Sequence, residues 1–217
     1  MTDNVYSEVL SYLREGLTER DVASEVDRLL FKNGAEYPSF TTGVAFTKPG
    51  QVITTGVKRA TDRPLQKGHS VCFDFGMCFE GYCSDFGRTA FVGEPPAKVQ
   101  KIHDLIMEAQ AAAIRAMISG TITAAQLDRV ARNIIKTEGY GEYFTHRLGH
   151  GIGVTVHEPP FLYPPDETTL VSNMIFTVEP SIRLPNAYGC RVEDVVLVSE
   201  EGGLPLTNFS KELTVIK

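Results

Sequence analysis

The chain has 217 residues, 42% hydrophobic and 22% charged, with a net charge of −6. That length allows one sizeable core, or two half-sized lobes that share a sheet. No uninterrupted apolar run approaches the roughly 18 residues of a membrane span. The acidic balance, with no basic cluster larger than Lys58-Arg59, argues against a nucleic-acid partner. The N-terminus Met1-Thr2-Asp3-Asn4 lacks the basic and apolar regions of a secretion signal, so the expected compartment is the cytoplasm. Cys72, Cys78, Cys83 and Cys190 have no paired CxxC spacing and sit in apolar, strand-like context, which predicts reduced and mostly buried thiols.

From the N-terminus, Asp3 to Glu15 carries Val5, Val9, Leu10 and Leu13 at helical spacing and is stopped by Gly16. Thr18 with Asp21 then reads as a capping box that opens a second helix running to Gly34. Residues 69–93 are aromatic and rich in strand formers on either side of Glu80-Gly81, which predicts a β-hairpin. Pro95-Pro96 begins a long helix with Ile102, Leu105, Ile106, Ala109, Ala113 and Met117 on one face, ended by Gly120. Thr123 with Gln126 caps another helix that ends near Gly139. A second hairpin is expected around the Leu184–Gly189 loop, and a last short strand over Leu213–Ile216.

The two halves echo each other. Thr18 and Thr123, Gly34 and Gly139, and Asp74 and Glu179 are each 105 positions apart. This predicts one α+β domain over residues 1–217, with two pseudo-symmetric lobes, roughly 1–95 and 96–217, sharing a sheet with helices outside.

Within the hairpins, carboxylates stand where a strand should be buried. Asp74 lies in Val-Cys-Phe-Asp-Phe and Asp85 in Cys-Ser-Asp-Phe. Across a two-residue loop paired positions sum to an odd number, so these two share a face as opposite or diagonal neighbours. Two like charges there call for a cation, a shared proton or an arginine, and Arg88 is a candidate for the last. The second half adds Glu179 in Phe-Thr-Val-Glu-Pro and Glu193 in Cys-Arg-Val-Glu-Asp-Val-Val, with Asp194 expected to be the outward neighbour of Glu193. Superposed by the repeat, about four carboxylates converge, and two divalent cations balance them. Oxygen-rich ligation with about one imidazole suits manganese, iron, cobalt or zinc in a two-metal hydrolytic centre. The segment "HRLGHGIGVTVHE", residues 146–158, can supply the imidazole.

Taken with "DFG…DFGRTAF", "FTVEP" and "GCRVEDVVLV", that segment resembles the catalytic domain of the M24 metallopeptidases, closer to its proline-peptidase branch (proline dipeptidase and aminopeptidase P) than to methionine aminopeptidase. The resemblance covers nearly the whole chain and implies the pita-bread fold, with a curved antiparallel sheet. It implies the ligands Asp74, Asp85, His150, Glu179 and Glu193, manganese as the leading metal, and a metal-bridging hydroxide that hydrolyses Xaa-Pro bonds. It further implies that His157 contacts substrate and stabilises the tetrahedral intermediate, that His146 lines the proline side, and that Glu179 is also the general base. Arg191, two residues before Glu193 and so on its face, is expected to hold the ligand carboxylates and border the substrate. Gly149 and Gly151 are expected to let the backbone turn tightly beside His150. Both His146, as a turn residue, and His157 retain a purely structural alternative, and His69 and His103 are read as solvent-exposed.

Two departures bear on substrate. Proline peptidases of this family usually carry a further histidine about seventeen residues before the first ligand aspartate, whereas residues 54–59 read Thr-Thr-Gly-Val-Lys-Arg. The chain also begins at the catalytic domain's first helix, where such peptidases commonly have a preceding domain. A creatinase-like or other small-molecule C–N hydrolase or lyase therefore stays open, as does a metal-binding module without catalysis. The partners expected are a short peptide or small amide, with homodimerisation open, and no nucleic acid or membrane.

Overall fold

The computed structural model describes residues 1–51 and 59–217. Most of the segment Thr54–Arg59 thus lies outside the described residues. Helices α1 (Thr2–Tyr12) and α2 (Glu19–Lys32) are followed by β1 (Tyr37–Pro38), β2 (Gly43–Thr47), β3 (Ser70–Phe75), β4 (Met77–Phe79), β5 (Tyr82–Cys83) and β6 (Phe86–Val92). Then come α3 (Ala97–Ala116), α4 (Ala124–Thr137), β7 (Gly149–Gly151), β8 (Glu158–Leu162), β9 (Ile175–Val178), β10 (Ser181–Arg183), β11 (Gly189–Arg191), β12 (Asp194–Val198), β13 (Gly203–Pro205) and β14 (Thr214–Ile216).

The helix boundaries follow from local chemistry. Thr18 Oγ1 accepts from the Asp21 N–H at 3.1 Å while the Asp21 carboxylate accepts from the Thr18 N–H at 2.8 Å. Thr123 and Gln126 repeat the device at the start of α4, at 3.2 and 2.9 Å. Each box satisfies two N–H groups that the first turn would leave without partners. Gly34 and Gly139 follow the two helices with φ of 95° and 81°, a left-handed backbone that costs glycine little.

Each helix pair covers its own sheet. Val5, Val9, Val22, Val26 and Leu30 pack against Phe46, Phe73, Phe75 and Phe86 in one core. Ile102, Ile106, Ala109, Leu127 and Ile135 pack with Phe176, Val178, Ile182 and Val196 in the other. The first sheet has the order β14-β6-β3-β2 and the second β13-β12-β9-β7-β8, with the small sheets β1-β4-β5 and β10-β11 beside them. Pairing is antiparallel except where β14 joins β6 in parallel. The two larger sheets meet where the Glu193 N–H donates to the Gly87 carbonyl at 3.0 Å. Beside that bridge, Thr89 Oγ1 donates to the Arg191 carbonyl at 2.9 Å and accepts the Arg191 N–H at 2.8 Å. Among the described residues no helix is long and apolar enough to cross a membrane.

Register decides what faces the seam. Asp74 has Gly43 as its partner on one side and Gly87 on the other, so Asp85 is its diagonal rather than direct neighbour. A Cβ on Gly87 would run into the Glu193 carboxylate and the Arg191 stem, which is why the second sheet can come this close. Arg88, one residue on, pairs with Phe73 and points to the opposite face. The expectation that Arg88 offsets Asp74 and Asp85 is therefore corrected: it binds Asp194 Oδ1 at 2.7 Å, and the carbonyls of Phe209 and Ser210 at 3.0 and 3.1 Å. Asp194 does turn away from the other carboxylates, yet into the interior and not outward, and Lys211 Nζ lies 2.5 Å from its second oxygen.

Two further corrections concern histidines. His69 and His103 are both fully buried. His69 accepts the Gln66 N–H at 2.9 Å and lies 3.1 Å from Gln51 Oε1, and His103 shares the inner side of α3 with Ile106 and Gln110. Burial lowers both pKa values to about 4, so both rings are neutral at pH 7. The cysteines are free thiols, with Cys72, Cys78 and Cys190 buried and Cys83 partly so.

Because Arg88 and Asp194 are respectively 1% and 0% exposed, Asp194→Ala leaves a guanidinium in the interior without its counter-charge. The expected loss is about 3–5 kcal/mol in denaturant unfolding. A loss below about 1 kcal/mol would show that the backbone carbonyls around Arg88 are sufficient partners without the carboxylate.

Candidate functional site

A cleft of about 680 Å³ opens over the seam between the two sheets. Asp74, Asp85, His146, His150, His157, Glu179, Arg191 and Glu193 all border it. β3 supplies Asp74, and Asp85 precedes β6. Glu179 lies between β9 and β10 and Glu193 between β11 and β12, so the two arms of the second-half hairpin each contribute one carboxylate.

Three carboxylates, Asp74, Asp85 and Glu193, each place one oxygen within 4.8 Å of the others. His150 Nε2 joins them, 3.5 Å from Asp85 Oδ2 and 3.4 Å from Glu179 Oε1. Its Nδ1–H donates to the Gly151 carbonyl at 3.0 Å, which leaves the Nε2 lone pair aimed at the carboxylates. Thr177 ties the set together: its hydroxyl donates to Glu179 Oε1 at 3.2 Å and accepts the His150 N–H at 3.1 Å. Gly149 and Gly151 are strand residues without positive φ, so they do not form the tight turn expected of them. They give room instead, because a Cβ on Gly149 would strike the Thr177 carbonyl and one on Gly151 would lie 2.7 Å from the Glu158 carbonyl.

Arg191 reaches across the cluster from β11. One guanidinium nitrogen bonds Asp74 Oδ2 and lies 3.5 Å from Glu193 Oε2, and the other lies 3.4 Å from Glu179 Oε2. Burial opposes its charge, but Asp74, Glu179, Glu193 and Asp85 outweigh that and raise its pKa. One arginine does not offset four carboxylates. Burial, then the charge of Asp74, pushes the Asp85 carboxyl well above its ordinary range, and burial, then Asp85 and Glu179, does the same to Glu193. Burial also raises Glu179. Asp85 Oδ1 is buried with no hydrogen-bond partner among the described residues. A buried, under-satisfied oxygen in a set of oxygen donors with one free imidazole nitrogen fits divalent cations.

The other two histidines differ in how they are held. His146 Nδ1–H donates to the Arg147 carbonyl at 2.7 Å and Nε2 accepts from the Ser181 hydroxyl at 2.5 Å, so its tautomer is fixed. Burial, then Arg191 and Arg183, lowers its pKa well below the usual range. His157 is exposed at the mouth, its ring centroid 4.3 Å from that of His150. Burial, then His150, lowers its pKa as well, so it is a neutral donor at pH 7.

Sequence reasoning missed Phe40, Arg147, Tyr163 and Arg183, which also line the cleft. Arg183 was legible in principle: it has the parity of Ser181 and sits one hairpin step from Arg191. Phe40 lies in a loop before β2 and carries no such signal.

The raised carboxyl of Asp85 has a signed consequence for metal-free protein. An acid whose folded pKa is raised contributes stability fully present below its unfolded value, 3.8 for Asp85, and lost as pH rises through the folded pKa. Asp85→Asn removes that loss. Melting with chelator present is expected to show the stability of the variant relative to the parent growing as pH rises above 3.8, with a slope of at most about 1.4 kcal/mol per pH unit. A difference independent of pH would mean that Asp85 ionises in the fold as it does in water.

A family description reading metallopeptidase family M24 matches residues 1–200. Over 213 residues the chain is 40% identical to a Xaa-Pro dipeptidase of Pyrococcus furiosus, taking in 98% of this chain and 60% of that one. An X-Pro aminopeptidase from Thermotoga maritima superposes with a TM-score of 0.92 at 36% identity, over 99% of this chain and 60% of that one. For the dipeptidase PepE from Mycobacterium ulcerans the TM-score is 0.93 at 38% identity, over 99% and 57%. These neighbours share the pita-bread architecture, and the chain spans about 60% of the length of its curated relatives. By sequence and by fold, the chain belongs to metallopeptidase family M24.

Proposed function

We propose that this chain is the catalytic domain of a two-metal hydrolase that cleaves Xaa-Pro bonds in short peptides. The observation that carries the reading is the clustering of Asp74, Asp85 and Glu193 oxygens within 4.8 Å, with His150 Nε2 beside Asp85 and Glu179. The 40% identity to a Xaa-Pro dipeptidase supports the substrate class. In this reading residues 1–217 form one domain with halves near 1–95 and 96–217, cytoplasmic in location, and homodimerisation stays open.

Asp74, Asp85, His150, Glu179 and Glu193 would hold two ions, with manganese the leading candidate and cobalt, zinc or iron as alternatives. Divalent ions at such a centre supply Lewis acidity toward a carbonyl and make water acidic enough to act as a nucleophile near neutral pH. The chain's own groups do the rest. Glu179, fixed by Thr177 and Arg191, takes a proton from the attacking water and passes it to the leaving amine. His157, neutral and at the mouth of the cleft, donates to the substrate oxygen as charge develops on it. His146, with both ring nitrogens engaged, walls the proline side and exchanges no proton. Arg191 keeps Asp74, Glu179 and Glu193 in register across the seam.

The absence of a histidine in residues 54–59 favours one competing reading, a small-molecule C–N hydrolase on the same scaffold. Metal analysis combined with assays on Xaa-Pro dipeptides and Xaa-Pro-Yaa peptides separates the two. About two metals per chain with cleavage is the expected result, and Asp85→Ala is expected to reduce turnover to background. Metal without peptide cleavage points to the small-molecule hydrolase or to a metal-binding module without catalysis, and either the absence of metal or full activity in Asp85→Ala overturns the site.

A further inference from the structure

The β10–β11 hairpin forms one wall of the cleft. Its register sets Ser181 opposite Arg191 and Arg183 opposite Gly189, so strand alternation puts Ser181, Arg183 and Arg191 on one face. Two of these side chains are committed. Ser181 donates to His146, and Arg191 is spent on Asp74, Glu179 and Glu193. Arg183 is different: it lines the cleft, is only partly exposed, and among the described residues makes no hydrogen bond or ion pair.

An arginine withdrawn from water into a concave wall ordinarily meets a carboxylate. Here Asp74 and Glu179, close enough to act on Arg183 electrostatically, are already bonded to Arg191. The facing Gly189 has no side chain to block it, and even a Cβ there would lie 4.0 Å from Arg183 Cγ. Burial, then the like charge of Arg191, lowers the Arg183 pKa from the usual arginine value, as expected for a cation lacking a counter-charge. Arg147, also in the cleft, has its guanidinium 4.9 Å from the centroid of the Phe161 ring and forms no ion pair among the described residues. Once divalent cations balance the four carboxylates, these guanidiniums give the cleft a surplus of positive charge.

We infer that Arg183 is a specificity-determining residue that takes a carboxylate of the substrate, whether the free C-terminus or an acidic side chain. This assignment rests on the hydrolase reading above. A planar guanidinium pairs with a carboxylate through two parallel hydrogen bonds, and a neutral amide offers it no such partner. Because the interaction is with substrate and not with protein, loss of Arg183 changes binding and leaves the fold alone.

The test compares parent, Arg183→Met and Arg183→Lys, metal-loaded, on Ala-Pro, Ala-Pro-amide and Glu-Pro-amide. Arg183→Met is expected to raise KM about 10- to 100-fold for the carboxylate-bearing substrate that Arg183 reads. With it, kcat should move less than about threefold, Ala-Pro-amide should be unaffected, and the melting temperature should be unchanged. Arg183→Lys should recover part of the loss. A loss on Ala-Pro assigns the terminal carboxylate, and a loss on Glu-Pro-amide assigns the side chain. If cleavage persists and the variant treats acids and amides in the parent's ratio, the inference is overturned while the hydrolase reading stands. If the parent cleaves none of the three, the Xaa-Pro dipeptidase reading fails, and calorimetric titration of Ala-Pro and Glu-Pro-amide into parent and Arg183→Met decides the inference. At least tenfold tighter binding of either by the parent supports it, and equal or absent binding of both overturns it.

Discussion

Mutual repulsion among Asp74, Asp85, Glu179 and Glu193 is the constraint around which the rest of this structure is arranged. Asp85, Glu179 and Glu193 are all buried. Like charges brought together out of water either take up protons or acquire a counter-charge. Arg191 supplies part of that counter-charge, and burial with the neighbouring carboxylates still raises the carboxyl groups of Asp85 and Glu193. A fold that keeps such a cluster does so for what the cluster binds.

The architecture delivers these carboxylates from both halves to one seam. Each half builds a helix pair over a sheet with its own core, and the sheets meet through the Gly87–Glu193 bridge. Glycine at position 87 lets the segment carrying Glu193 lie directly against the strand that pairs with Asp74. Two arginines then divide the work on the two sides of the seam. Arg191 faces the cleft and spans three carboxylates, while Arg88 faces inward and ties Asp194 and the C-terminal segment to the strand carrying Gly87. The second interaction lies behind the first, so the position of Glu193 is fixed from the interior as well as from the cleft.

Much of this was legible from residue order. The two capping boxes and their closing glycines gave the helices, because capping is local chemistry. Asp74, Asp85, Glu179 and Glu193 stood out as charges inside apolar strands, and the structure puts them around one cleft. The misreadings have equally particular causes. Arg88 was paired with the wrong carboxylates although its parity differs from that of Asp85, which was enough to send it to the other face. Lys101 and Asp104 beside His103 read as an exposed stretch of helix, but α3 packs against both α4 and strands, and its buried arc is wider than one apolar stripe. The glycines around His150 read as a turn because glycine is permissive, whereas here they serve close approach between strands. Arg183 went unnoticed because its importance lies in having no protein partner, which sequence does not display.

Paired divalent cations are proposed to hold these carboxylates together. Anomalous diffraction from crystals of manganese-loaded protein tests it most directly. Two peaks per chain among Asp74, Asp85, His150, Glu179 and Glu193 are the predicted result. A map with no peak there, or with these side chains turned toward separate surroundings, would contradict the account.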